Sequence, residues 1–329
     1  MRIPTTNSVA KVVDGVSLTL ERGGALGIVG ESGSGKTMLS RSLMNLLPSQ
    51  ALVEGSVLLD GVELLGLASK DLRELLGPTV AMIFQDPMTS LNPVMKVGRQ
   101  VTESVRRRQK MSRSESDQLA IDMLRSVRIP EPERRIGQYP HELSGGMRQR
   151  VMIALALAAH PKLLIADEPT TALDVTVQAQ ILDLLEDKRR ENEMAMILVS
   201  HDLGLVATRT SRVAVMYAGR IVETGPTEAI FTRPQMPYTV ALLQSIPWAD
   251  QPRGRTLQSI SGLPPRLDAL PAGCRFAPRC PRAGDRCQVE APPLVSSDDP
   301  DHLFACWFPA GGESTQVGMP TRKREVEVR

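Results

Sequence analysis

Residues 30–37 read Gly30-Glu31-Ser32-Gly33-Ser34-Gly35-Lys36-Thr37, the pattern G-x-x-x-x-G-K-[ST]. An apolar run over 25–29 precedes it and reads as a strand, while residues 38–47 read as a helix stopped by Pro48. Strand, loop and helix in that order are the context this pattern needs to cradle phosphate. Glycines let the backbone approach a polyphosphate, so that successive N–H groups point at its oxygens. The helix N-terminus adds partial positive charge. On this reading Lys36 reaches the β- and γ-phosphates and the Thr37 hydroxyl holds Mg²⁺. Every residue from Gly30 to Thr37 is thereby a candidate contact for a nucleoside triphosphate.

The 329 residues suffice for about two domains. Hydrophobic residues make up 42% of the chain and aromatics only 3%, so the core must be aliphatic. A net charge of +2 gives no sign of nucleic-acid binding. The longest apolar run, 151–159, is too short to span a bilayer, and no apolar signal segment opens the sequence. The expectation is a cytosolic protein that meets membranes through partners.

Along the chain, residues 1–29 read as a polar lead and two strands, with Val12, Val16, Leu18 and Leu20 alternating. Further strands are expected at 57–59, before the Asp60-Gly61 turn, and at 79–84, 163–166 and 194–199. Helices are expected at 97–108, 114–128, 150–159 and 175–190. Strands alternating with helices predict an α/β fold with a mostly parallel sheet. The all-helical stretch 91–160 reads as a helical subdomain inserted in a nucleotide-binding domain of residues 1–247. Past 247 the composition turns to Pro, Arg and Cys, giving a Cys-rich domain at 248–310 and a disordered tail at 311–329.

Asp167 and Glu168 end the 163–166 strand. Asp167 suits Mg²⁺ bound through water, and Glu168 suits orienting the attacking water. Alone, the pair would equally be a solvated strand end. Ser144-Gly145-Gly146 opens a helix and forms a second anion-binding device, or simply a capped helix start. One triphosphate rarely needs two such devices; a dimer in which this serine faces the partner's γ-phosphate would use both. His201 follows the 194–199 strand, at the strand end where α/β sheets bind ligands. A lone histidine is more often structural.

Together these motifs resemble the ATP-binding subunit of an ABC transporter: a P-loop ATPase core of the ABC type with a helical subdomain. Gly30–Thr37 matches Walker A, Gln85 the Q-loop, 143–149 the signature, 164–168 Walker B, 171–174 the D-loop and His201 the switch histidine, in family order. The resemblance implies two subunits sandwiching two ATP molecules, each closed by the other's Ser144, Gly145 and Gly146. It makes Glu168 and His201 catalytic, and Thr37, Gln85 and Asp167 the Mg²⁺ set. Residues 85–93 and 168–178, with 233–239 and 273–281, resemble the oligopeptide/dipeptide importers, a group that includes nickel importers. That implies an ATPase (ATP + H₂O to ADP + phosphate) peripheral to the cytoplasmic face of the inner membrane. It would sit beside two permeases, a second identical or related ATPase and an external solute-binding protein, and 88–93 would offer a surface to the permease. A cassette acting on DNA or the ribosome, or a catalytically dead one, fits less well: there is one cassette, no heptad run, and Glu168 and His201 are intact.

Family members stack adenine on an aromatic residue upstream of Walker A, yet no Phe, Tyr or Trp precedes Phe84. Either the natural chain begins further upstream or the adenine lacks its stack, near Thr5–Ser8, at a cost of about 1 kcal/mol. Cys274, Cys280, Cys287 and Cys306 are spaced x5, x6 and x18, without a C-x₂-C pair. Soft thiolates suit Fe–S or zinc; unmetallated or disulfide-linked thiols remain open. In the resembling importers the equivalent cysteines go with a [4Fe–4S] cluster. Arg275, Arg279, Arg282 and Arg286 crowd the same stretch and read as solubilising charge that partly neutralises thiolates.

Overall fold

The computed structural model describes residues 1–5, 8–86, 90–170, 174–246 and 260–311. The principal strands are β1 (Ala25–Val29), β2 (Val80–Ile83), β3 (Leu163–Asp167), β4 (Ala195–Ser200), β5 (Arg212–Tyr217) and β6 (Arg220–Pro226). The principal helices are α1 (Lys36–Leu43), α2 (Val97–Gln109), α3 (Arg113–Ser126), α4 (Gly145–Leu157), α5 (Val175–Glu191), α6 (Leu203–Arg209) and α7 (Pro237–Gln244). The chain divides into two compact units. One comprises Met1–Thr19, Ala25–Gly55 and Val199–Arg329; the other comprises Leu20–Gly24 and Ser56–Leu198.

In the first unit β1 is wholly buried, as its run of Ala, Leu, Gly, Ile and Val demands. It pairs in parallel with β5, Leu26 opposite Arg212 through Val29 opposite Val215. β5 then turns back as β6 in an antiparallel hairpin. Ala218 and Gly219 both have positive φ, +44° and +87°, the two-residue turn whose twist matches a hairpin. A side chain at 219 would strike the carbonyls of Lys11 and Val12. A short strand, Leu303–Phe304, extends β6, and Val295–Ser296 extends that in turn. The mostly parallel sheet expected from the strand–helix alternation is therefore mixed, because two-residue turns such as Ala218-Gly219 can only reverse a strand.

In the second unit β2 and β3 pair in parallel, Val80 opposite Leu163 through Ile83 opposite Ala166. α2, α3 and α4 pack together as the helical lobe. α3 starts in a capping box, Ser112 with Glu115. Buried Thr102 and Ser116 share a 2.7 Å hydrogen bond between α2 and α3. The 151–159 apolar run lies largely in α4, where Val151, Ile153 and Ala154 are fully buried. A helix apolar all round belongs in an interior. No helix among the described residues is long and apolar enough to cross a membrane.

Ser144 caps α4 at the helix start the sequence indicated, and the helix runs from Gly145, ahead of its apolar run. Residues 16–20 alternate in burial but form no strand ladder. Residues 87–89 of the 85–93 motif, residues 171–173 of the D-loop, the boundary near 247 and the tail past 311 lie outside the described residues.

Candidate nucleotide site

The sequence G-E-S-G-S-G-K-T folds as a loop between β1 and α1, with φ of +149° at Gly30, +77° at Gly33 and +103° at Gly35. Lys36 is 5% exposed. Its ammonium donates to the carbonyls of Gly30 at 2.8 Å and Glu31 at 2.9 Å, and to Ser34 Oγ at 3.5 Å. One cation thus gathers the loop around itself. The Ser34 carbonyl accepts from Gly219 N–H of the β5–β6 turn at 2.8 Å. The Glu31 backbone N–H donates to Tyr238 Oη at 2.9 Å, and burial pushes that phenol's pKa well up. In the same unit His201 follows β4 and is exposed, and Asp202 caps α6 by accepting from Leu205 N–H at 3.2 Å.

The second unit carries the acids. Asp167 ends β3 and is 2% exposed. Glu168 follows with φ +47°, a strained conformation for a residue other than glycine and of the kind that gathers at functional sites. Gln85 Nε2 donates to Glu168 Oε2 at 2.8 Å, so the structure joins two of the sequence-derived candidates directly. Ser144 Oγ accepts from Met147 N–H at 3.4 Å. Gln149 donates to the Pro169 carbonyl, tying α4 to the turn after Glu168. A Cβ at Gly146 would lie 3.2 Å from Val177 Cγ1, so that glycine also sets how closely α4 approaches α5.

Sequence reasoning missed the roles of Tyr238 and Tyr217, and misread the arginine cluster that includes Arg279. Arg279 binds both carboxylate oxygens of Glu31, at 2.6 and 2.9 Å, from 248 residues away. Arg275 pairs with Asp14 and donates to the Ala218 carbonyl. Arg286 binds Glu290 and lies 3.4 Å over the Trp307 ring, and Arg282 donates to the Pro309 carbonyl at 2.9 Å. These are specific partners, where loose solubilising charge was expected. No local pattern signals a contact across more than two hundred residues.

The four cysteines are free thiols. Burial raises the pKa of Cys274 and Cys280, and that of Cys306 to about 12. Among the described residues no three His, Cys, Asp or Glu are placed to hold a metal ion. The expected metal centre does not fit the cysteines as they stand.

Comparison with known proteins matches residues 13–171 to the ABC transporter family and residues 222–287 to the C-terminal region of oligopeptide/dipeptide transporters. The chain is 51% identical over 304 residues to a probable peptide ABC transporter ATP-binding protein of Sinorhizobium fredii, spanning 91% of this chain and 90% of that one. It is 50% identical over 313 residues to the dipeptide transport ATP-binding protein of Escherichia coli, spanning 94% of each. This chain is an ABC transporter ATP-binding subunit. A dimeric ATP-binding cassette solved in a post-hydrolysis state with ADP and phosphate is similar in structure, with a TM-score of 0.61 at 27% identity. That similarity covers 69% of this ABC subunit and 95% of the solved cassette. The P-loop ATPase fold and ATP hydrolysis coupled to transport follow from this membership.

Proposed function

We propose that this subunit hydrolyses ATP to power the import of peptides, or of a related small solute, from a position on the cytoplasmic face of the membrane. It would act beside two permeases, a second ATPase of this kind and an external solute-binding protein. The observation that carries the reading is the 30–37 loop gathered around buried Lys36, with its glycines in backbone shapes that free N–H groups for anions.

Lys36 and the loop amides take the terminal phosphates, as Lys36 exchanges its carbonyl partners for charged oxygens. Thr37, Gln85 and, through water, Asp167 are the residues to hold Mg²⁺, which supplies charge neutralisation on the phosphates. Glu168, fixed by Gln85, accepts the proton of the water that attacks the γ-phosphorus as the bond to ADP breaks. His201 is assigned the γ-phosphate, and Ser144, Gly145 and Gly146 the phosphate held by the second ATPase. Glu168→Gln should keep ATP binding while steady-state hydrolysis falls about 100-fold or more. Undiminished hydrolysis would remove Glu168 from its role.

For the cysteines, the finer reading is a [4Fe–4S] cluster, supported by the count of four soft donors and the match to the importer C-terminal region. Against it stands the finding that, among the described residues, no three His, Cys, Asp or Glu are placed to hold a metal ion. An absorbance band at about 400 nm after anaerobic purification decides the matter.

A further inference from the structure

The chain has ten aromatic residues, Phe 5, Tyr 3 and Trp 2. Three of them meet beside the phosphate loop. The rings of Tyr217 and Tyr238 lie 4.5 Å apart, and Phe276 stands edge-on to both at 5.3 Å. All three are at most 1% exposed. Phe276 belongs to the segment between Cys274 and Cys280, and a single 3₁₀ turn, Ala277–Arg279, carries that segment onto the loop. The Arg279 side chain is 4% exposed. Its five donors are used: Nε to the Ser261 carbonyl, and the two terminal nitrogens to Glu31, Tyr217 Oη and the Ile260 carbonyl. The guanidinium also lies 5.9 Å from the Tyr217 ring centre.

Glu31 is the second residue of a loop built to receive polyanions, and a bare carboxylate there would repel them. We propose that Arg279 is a positioning residue of the nucleotide site, whose forked ion pair neutralises Glu31 and fixes the loop, so that the C-terminal segment sets the affinity for ATP. The proposal rests on the assignment of ATP to the 30–37 loop. Arg279 touches no substrate; it acts through Glu31. The planar fork matters because it binds both carboxylate oxygens at once, leaving neither aimed at a phosphate. The geometry makes the ATP site a product of two distant stretches of chain.

The test is titration of the full-length chain with trinitrophenyl-ATP, displaced by Mg-ATP, with thermal midpoints recorded for each variant. Arg279→Gln should weaken Mg-ATP binding about tenfold or more, the scale of a lost charge-assisted pair. Adding Glu31→Gln should restore affinity to within about threefold of wild type, because the uncompensated charge is gone. Glu31→Gln alone should bind at least as tightly as wild type, since the loop then carries no carboxylate to repel the phosphates. That variant keeps the proposal testable even where Arg279→Gln fails to fold. Unchanged binding by Arg279→Gln overturns the proposal. So does a double variant no better than Arg279→Gln, or weaker binding by Glu31→Gln alone, since a merely structural prop behaves that way. Lys36→Ala separates the two levels: lost binding there with normal binding in Arg279→Gln leaves the ATP assignment standing and sinks the role of Arg279. Normal binding by Lys36→Ala sinks the assignment itself.

Discussion

Glycines within a single loop should differ sharply in what a methyl group costs. At Gly30 φ is +149°, and a Cβ would stand 2.1 Å from the Met216 carbonyl oxygen, more than an ångström inside ordinary contact. The obstacle is the backbone of β5, which no rotamer change can clear. Strain of that backbone conformation contributes about 1–3 kcal/mol, and the overlap a similar amount. Gly30→Ala should therefore lose about 3 kcal/mol or more, a large part of the roughly 5–15 kcal/mol that holds a domain. Gly35→Ala should behave alike, its Cβ meeting the Val12 carbonyl oxygen at 2.4 Å. Gly33 has φ +77° and nothing within 4 Å, so Gly33→Ala carries backbone strain alone, about 1 kcal/mol after the entropy the unfolded chain loses. Guanidinium unfolding of the variants, with equal m-values, reads the differences from the midpoints. A Gly33→Ala loss equal to that of Gly30→Ala would refute the argument, as would a Gly30→Ala midpoint matching wild type.

Two further outcomes concern the C-terminal stretch. His302 and Glu223 are 2% and 0% exposed and joined at 2.7 Å, with Glu223 also accepting from the N–H groups of Gln235 and Met236. His302→Ala removes a partner from a buried carboxylate and should cost about 3 kcal/mol by denaturant titration; a loss near zero would show the pair to be dispensable. Burial holds the Cys306 thiol at a pKa of about 12 against an ordinary 9.0. Its contribution is full below pH 9, where folded and unfolded thiols are both protonated. It drains away as pH climbs from 9 towards 12, because only the unfolded thiol ionises early. Unfolding midpoints of wild type should therefore fall more steeply over that window than those of Cys306→Ala.

What the sequence determined by itself was local. Residues 25–47 specify strand, loop and helix within one contiguous stretch, so Gly30 to Thr37 needed no tertiary knowledge to be found, and the α2, α3 and α5 helices follow from period and caps. The acids at the end of β3 were legible because the strand's apolar run stops at them. The tertiary structure decided what no period records. Four arginines within a dozen residues look alike in sequence, yet one clasps Glu31, one Asp14, one Glu290 and one a backbone carbonyl. The β5–β6 hairpin turned an expected mostly parallel sheet into a mixed one and set Gly219 against the phosphate loop. The physical reason is separation along the chain: periodicity and capping act over a turn or two, whereas Tyr238 and Arg279 meet Glu31 across 207 and 248 residues, where only the packed fold selects partners.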